Sequence, residues 1–260
     1  MRRIIVFIYG VTCYLMFLGT FLYAIGFVGN ALVPKSLDSA PAAPFGQALL
    51  VNIALLYLFA LQHSLMARPA FKQWWTKFVP PPVERSTYVL FSSLALLLLF
   101  WQWQPMGGAI WHIENATGRL LLYGLFTFGW LLVLVSTFLI NHFDLFGLRQ
   151  VYLYLRGKEY TSLKFATPGV YKLVRHPLYV GWFFAFWATP TMTVAHLVFA
   201  SLTAAYILIA IQLEERDLLV GHGEAYAEYR RQVPMLVPRF FAKKRIPQQA
   251  AQEVMHKTAA

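Results

Sequence analysis

Seven histidines punctuate the 260-residue chain, at positions 63, 112, 142, 176, 196, 222 and 256. No two are three or four residues apart, so no helical turn presents the histidine pair that commonly grips zinc or iron. The chain also lacks a Gly-x-Ser-x-Gly elbow, a Walker loop and a Gly-x-Gly-x-x-Gly turn, the usual signatures of esterase, nucleotide hydrolase and dinucleotide chemistry. The remaining polar candidates stand at the ends of apolar runs. His63 closes one run and is followed by Ser64 and Arg68; His142 and Asp144 follow another directly. His176 opens a long apolar segment that Glu214-Glu215-Arg216-Asp217 ends. Titratable groups beside lipid-length helices are costly and call for a partner or a ligand. A lone histidine there is most simply a hydrogen-bonded structural group, and otherwise a proton acceptor. Two adjacent carboxylates at what reads as a helix C-terminus oppose the macrodipole, so they need cations: Arg175, Arg216 or a cationic ligand.

The elements that position these residues are transmembrane helices. Apolar residues make up 58% of the chain and charged residues 13%, with a mean hydropathy of +0.54. A soluble domain of this size cannot hide that much apolar surface. Four runs, Ile4–Val33, Phe45–Met66, Ser86–Gln104 and Leu120–Ile140, are near or above the ~20 residues that cross a bilayer. A fifth, Leu178–Leu213, is broken by Thr189-Pro190-Thr191. It is too long for one span and short for two, and proline disfavours helix before it, so a hairpin turning at Pro190 is predicted. The fold class is all-α: a polytopic bundle of four long spans plus a C-terminal hairpin. The first run far exceeds the 7–15 apolar residues of a signal peptide, so it reads as a retained span. Cys13 lies alone in that run and supports neither a disulfide nor a cysteine metal site.

A net charge of +11 is a topology signal rather than a nucleic-acid footprint, because the charges sit between the spans. Arg2 and Arg3 precede the first span, the second loop holds Arg68, Lys72, Lys77 and Arg85, and six more cations fall between Arg149 and Arg175. The tail carries eight, from Arg216 to Lys257, whereas the two remaining loops hold only Lys35 and Arg119. By the positive-inside rule both termini are cytoplasmic. The organisation expected is a four-span region over 1–140, a core over 141–240 built from loop, hairpin and tail, and a flexible polar tail over 241–260. Within the loop, Leu148, Val151, Tyr152 and Leu155 recur at helical spacing, which predicts a short interfacial helix with Asp144 near its start.

The polar material on that side has an ordered pattern. Arg175-His176-Pro177-Leu178-Tyr179-Val180-Gly181 precedes the hairpin. Glu214-Glu215-Arg216-Asp217-Leu218 ends it, followed by Gly223-x-x-Tyr226-x-x-Tyr229-Arg230. In this order and spacing the segments resemble the isoprenylcysteine carboxyl methyltransferase and phospholipid methyltransferase group of integral-membrane enzymes, over roughly residues 168–239. The resemblance implies a site for S-adenosyl-L-methionine between the Arg-His-Pro segment and the acidic helix end. His176, Pro177, Tyr179 and Gly181 would lie on one side of it and Glu214 and Glu215 on the other. By the same resemblance Glu214 or Glu215 binds the ammonium or a ribose hydroxyl, and Arg175 meets the carboxylate or holds the glutamates. Gly181 lets the cofactor approach the backbone, and Tyr226, Tyr229 and Arg230 close the pocket.

Three further segments, His63-Ser64-x-Met66-Ala67-Arg68-Pro69, Asn141-His142-Phe143-Asp144-Leu145-Phe146-Gly147 and Phe186-Trp187-Ala188-Thr189-Pro190-Thr191, resemble the bacterial methanethiol S-methyltransferase subfamily. That resemblance implies methyl transfer to methanethiol, giving dimethyl sulfide and S-adenosylhomocysteine, at the cytoplasmic side of a bacterial inner membrane. The thiolate is the reactive form, and an alkyl thiol is mostly protonated at neutral pH. His63, or His142 supported by Asp144, is the candidate base. The partners expected are a small thiol and the lipid bilayer, with no metal and no nucleic acid. A prenylcysteine or phospholipid acceptor, and a non-enzymatic small-molecule carrier, are the alternatives at this point.

Overall fold

The computed structural model describes residues 1–239; the predicted flexible tail over 241–260 lies outside the described residues. Its elements in chain order are α1 (Arg2–Gly29), α2 (Phe45–Ala67), α3 (Pro69–Trp75), α4 (Pro81–Gln102), β1 (Ala109–His112), α5 (Ala116–Leu139) and α6 (His142–Leu145). They continue with α7 (Leu148–Leu155), α8 (Pro177–Trp187), β2 (Thr191–Thr193), α9 (Val194–His222) and α10 (Glu224–Gln232). Among the described residues five helices, α1, α2, α4, α5 and α9, are long and apolar enough to cross a membrane. The all-α, polytopic expectation holds, with one small addition: β1 and β2 pair antiparallel.

Local chemistry sets the helix ends. Asn30 takes a left-handed φ of 55° and its N–H returns to the Gly26 carbonyl, closing α1. Pro69, Pro81 and Pro177 open α3, α4 and α8, where a missing N–H costs nothing. Asn115 and Thr193 cap α5 and α9 by accepting from Gly118 N and His196 N. The interfacial helix falls over Leu148–Leu155 as its spacing predicts, with Val151 buried against Gly10 of α1.

The hairpin is asymmetric. Its first arm, α8, has 11 residues and its second, α9, has 29. At 1.5 Å per residue α8 is about 16 Å long, roughly half of a bilayer core. Residues 188–193 then run without helix, Thr191–Thr193 pairing with β1 and the turn falling around Pro190, whose carbonyl accepts from Ile113 N. His176 and Pro177, at the start of α8, are both buried. This helix lies along α5 at a crossing of two glycines, Gly129 and Gly181.

Phe27, Leu99, Phe100, Trp103, Trp130 and Phe199 form the bundle core, while Ile5, Leu121, Phe128 and Leu131 face outward from α1 and α5, as lipid-facing residues must. At the end opposite the N-terminus a polar clasp ties the loops. Asp38 accepts from His196 Nδ1 and Thr193 Oγ1, and Asn52 bonds both the N–H and C=O of Gln104.

Candidate active site

Pro177 fixes the first turn of α8, and the two residues before it run extended against the chain after α10. Arg175 N donates to Pro234 O at 2.9 Å, and His176 N donates to Met235 O at 3.2 Å. That pairing aims both side chains at α9. Glu215, with only 4% of its side chain exposed, accepts from Arg175 Nε at 2.7 Å and from His176 Nε2 at 3.0 Å, and lies 3.3 Å from Arg230 Nε. Arg175 Nη1 donates to the carbonyls of Arg230 and Val233 at 3.0 and 2.6 Å. Of the two roles open to Arg175, it fills the second: it holds a glutamate.

Glu214 differs from its neighbour. Its side chain is 45% exposed, accepts from Tyr179 Oη at 2.9 Å and stands 3.9 Å from His176 Nδ1. These carboxylates do not end a helix, since α9 continues to His222 and stops at Gly223. The run Leu218-Leu219-Val220 lets it continue, so the dipole argument for cationic partners does not apply. Burial of Glu215 supplies the demand instead.

α10 closes the cluster. Tyr229 Oη donates to Tyr171 O at 2.7 Å, and burial pushes its phenol up to about 12. Tyr226 is 1% exposed, and its hydroxyl has no hydrogen-bond partner among the described residues. Burial raises its phenol too, with the charge of Glu215 adding to the effect. An orphaned buried hydroxyl costs about 1–3 kcal/mol, and it is a donor that a ligand can satisfy. Gly181 packs tightly: a Cβ there would meet Gly129 O at 2.8 Å and Val133 N at 2.9 Å. Its missing side chain makes room for α5.

The two candidate bases occupy different surroundings. His142 is buried among Phe138, Phe146 and Tyr14, stacked on Phe138 at 4.2 Å. Thr137 Oγ1 donates to Leu134 O, so it accepts from His142 Nδ1 at 2.8 Å; Nε2 then accepts from Tyr14 Oη at 2.9 Å. Both nitrogens are spent, and burial lowers the imidazole below its ordinary value. Asp144 does not support it, because that carboxylate accepts from Arg149 at 2.9 Å and Tyr160 at 3.3 Å. The side chain two residues ahead on a short turn is held by the cation of Arg149 instead.

His63 sits inside the bundle, stacked on Phe59 at 5.3 Å. Ser92 Oγ is 3.2 Å from Nδ1, and Tyr88 Oη is 3.1 Å from Nδ1 and 3.0 Å from Nε2. One hydroxyl thus lies within reach of both nitrogens. Ser64 and Tyr206 bond at 3.0 Å and Arg68 pairs with Asp217 at 2.9 Å, tying this end of α2 to α9 and the acidic segment. Tyr88, Ser92 and Tyr206 were not singled out from sequence. The signal was present, since all three are polar residues inside lipid-length apolar runs.

A cleft of about 960 Å³ opens on the basic face, lined by Arg3, Lys72, Glu84, Arg85, Lys158 and Glu159 among others. Leu218 and His222 also line it, one and two turns beyond Glu214 on the same face of α9. Lys72 loses basicity there through burial, with Arg85 adding to the effect.

No family model matches the chain, and no solved structure does. Curated relatives do. The methanethiol S-methyltransferase of Crocosphaera subtropica is 64% identical over 244 residues, 94% of this chain and 95% of its own. That of Mycobacterium tuberculosis is 57% identical over 238 residues, 92% and 98% of the two chains. Methanethiol S-methyltransferase 2 of Bradyrhizobium diazoefficiens is 54% identical over 243 residues, 94% and 93%.

Proposed function

The chain belongs to the methanethiol S-methyltransferase family, and from that premise we propose that it methylates the sulfur of methanethiol from S-adenosyl-L-methionine. The products would be dimethyl sulfide and S-adenosylhomocysteine. The proposed setting is a bacterial inner membrane, with the site on the cytoplasmic side where the basic loops gather. Residues 141–240 would form the core that binds the cofactor.

One observation carries the cofactor half of the reading. Beside a locked carboxylate, Glu215, stand a half-exposed carboxylate, Glu214, and a buried hydroxyl, Tyr226, whose capacity the protein leaves unused. An exposed acceptor and an unpartnered donor in one cluster suit a molecule bearing an ammonium, ribose hydroxyls and a carboxylate, so the residues present fit the group. When bound, S-adenosylmethionine supplies an electrophilic methyl on a sulfonium sulfur. Glu214 would take the ammonium or a ribose hydroxyl, and Tyr226 would donate to an oxygen or ring nitrogen. Arg175, His176, Arg230 and Tyr229 act one step back, holding Glu215 and the tail so that Glu214 keeps its place. Pro177 sets the turn that aims them.

For the acceptor half, His63 is the base this reading selects over His142. His142 has no free lone pair, whereas Tyr88 can release either nitrogen of His63. A bundle interior suits a small apolar thiol and keeps water from the thiolate. Losing the thiol proton to His63 as the carbon–sulfur bond forms avoids building a free thiolate in lipid.

Ligand-linked stability tests the cofactor. At 100 times its dissociation constant, S-adenosylhomocysteine is expected to stabilise the purified protein by about 2.7 kcal/mol. No rise in melting midpoint with either S-adenosylhomocysteine or S-adenosylmethionine refutes the proposal.

A further inference from the structure

Methylating a thiol releases a proton, and here the release falls inside a membrane bundle. The thiol's S–H bond breaks and its proton goes to His63. The sulfur's electron pair forms the new S–CH3 bond, and the pair of the broken sulfonium bond stays on the leaving sulfur. One proton per turnover must then reach water, or His63 remains charged and the enzyme stops. The cleft on the basic face opens to water, and a single helix face leads toward it.

Arg85, Tyr88 and Ser92 of α4 fall at i, i+3 and i+7, one stripe of the helix, spanning about 10 Å of its length. Ser92 Oγ and Tyr88 Oη are the two groups that touch the nitrogens of His63. The Arg85 guanidinium lies 5.0 Å from the centre of the Tyr88 ring, is anchored by donating from Nε to Leu145 O at 2.7 Å, and lines the cleft. Glu84 lines it as well. Tyr88 itself is buried, and its hydroxyl has His63 as its hydrogen-bond partner among the described residues.

We propose that Tyr88 is a positioning and relay residue: with Ser92 it orients His63, and it hands the thiol's proton along α4 toward water in the cleft at Arg85 and Glu84. The exchange is balanced. The Tyr88 oxygen accepts the imidazolium proton while its own hydroxyl proton passes to water, and a rotation of the hydroxyl restores the start. The other ionisable groups around the pair are Tyr206 of α9, bonded to Ser64, Tyr179 of α8, bonded to Glu214, and Arg68 at the end of α2, held by Asp217. The inference rests on the methyl-transfer reading above.

Tyr88→Phe tests it, since the ring under Arg85 survives and only the hydroxyl goes. Turnover at saturating cofactor and thiol is expected to fall on the order of 10–100-fold. KM for methanethiol should stay within about twofold, and stabilisation by S-adenosylhomocysteine should match wild type. Added imidazole, a small diffusible base, should restore part of the lost turnover and leave wild type unchanged. Wild-type turnover in Tyr88→Phe overturns the relay. So does a slow variant that still binds S-adenosylhomocysteine but ignores imidazole, because the hydroxyl then only shapes the site. If Tyr88→Phe does not fold, Tyr88→His carries the test, since an imidazole also passes protons. It should be active without added base, and a folded, cofactor-binding but inactive Tyr88→His overturns the proposal. Failure of wild type to bind S-adenosylhomocysteine would instead sink the underlying reading.

Discussion

Adjacent glutamates on α9 are predicted to do opposite jobs, and replacing each with glutamine separates them. Glu215 is almost fully buried and anchors Arg175, His176 and Arg230 at 2.7, 3.0 and 3.3 Å. Glu215→Gln keeps the volume but strands the Arg175 guanidinium, itself 10% exposed, without an anion. Breaking a buried pair by removing one partner costs about 3–5 kcal/mol. Taking about 4 kcal/mol, and about 2–4 °C per kcal/mol for a chain this size, the melting midpoint should drop by about 8–16 °C. Glu214 is half-exposed and, among the described residues, hydrogen-bonded to Tyr179 alone. Glutamine retains an acceptor for that phenol, so Glu214→Gln should cost less than about 1 kcal/mol, a drop under about 4 °C. Its loss should appear in binding: the midpoint should no longer rise with S-adenosylhomocysteine at concentrations that stabilise wild type. Thermal unfolding of both variants in one detergent, with and without ligand, gives the four numbers. A stable Glu215→Gln, or a Glu214→Gln that binds like wild type, would refute the division of labour.

Further outcomes follow from other parts of the bundle. Gly129→Ala should destabilise by about 1–3 kcal/mol, because its Cβ would sit 2.5 Å from Ala185 N and 2.7 Å from Gly181 O, which are backbone atoms; an unchanged melting midpoint contradicts the close crossing. His63→Gln should lower turnover by about 100-fold or more while leaving S-adenosylhomocysteine binding intact, and wild-type turnover would move the base elsewhere. His142 is held neutral below its ordinary value by burial, whereas in the unfolded chain it titrates near 6.5. As pH falls the unfolded chain takes up that proton first, so stability present above about pH 6.5 is lost below it. Melting midpoints from pH 8 to 5 should fall less steeply in His142→Asn than in wild type; equal slopes would show that folding leaves the titration of His142 unchanged.

The spans were legible because lipid permits little else. A continuous apolar run must satisfy its own backbone, and Phe45–Met66 read from sequence becomes Phe45–Ala67 in the fold. The interfacial helix was legible for a related reason, since Leu148, Val151, Tyr152 and Leu155 mark one face. The order of Arg175-His176-Pro177, Glu214-Glu215 and Tyr226-x-x-Tyr229 located the cluster. What sequence left open was pairing at a distance. Arg175 and Glu215 are 40 positions apart, Tyr14 and His142 are 128, and nothing local assigns one to the other. The same holds for β1 and β2, short segments about 80 residues apart whose pairing depends on α8 stopping half-way. Asp144 was misassigned for the converse reason: nearness to His142 in sequence counted for less than the reach of Arg149. Gly181 was read toward a ligand because its motif suggested one, while the space beside it belongs to α5.

Headspace gas chromatography of the purified, detergent-solubilised protein with S-adenosylmethionine and methanethiol tests the central claim most directly. Dimethyl sulfide should accumulate above a no-enzyme control, in step with S-adenosylhomocysteine, and disappear when either reactant is withheld. S-adenosylhomocysteine binding without any dimethyl sulfide would contradict the assignment of methanethiol as acceptor. Absence of both would contradict the methyltransferase account as a whole.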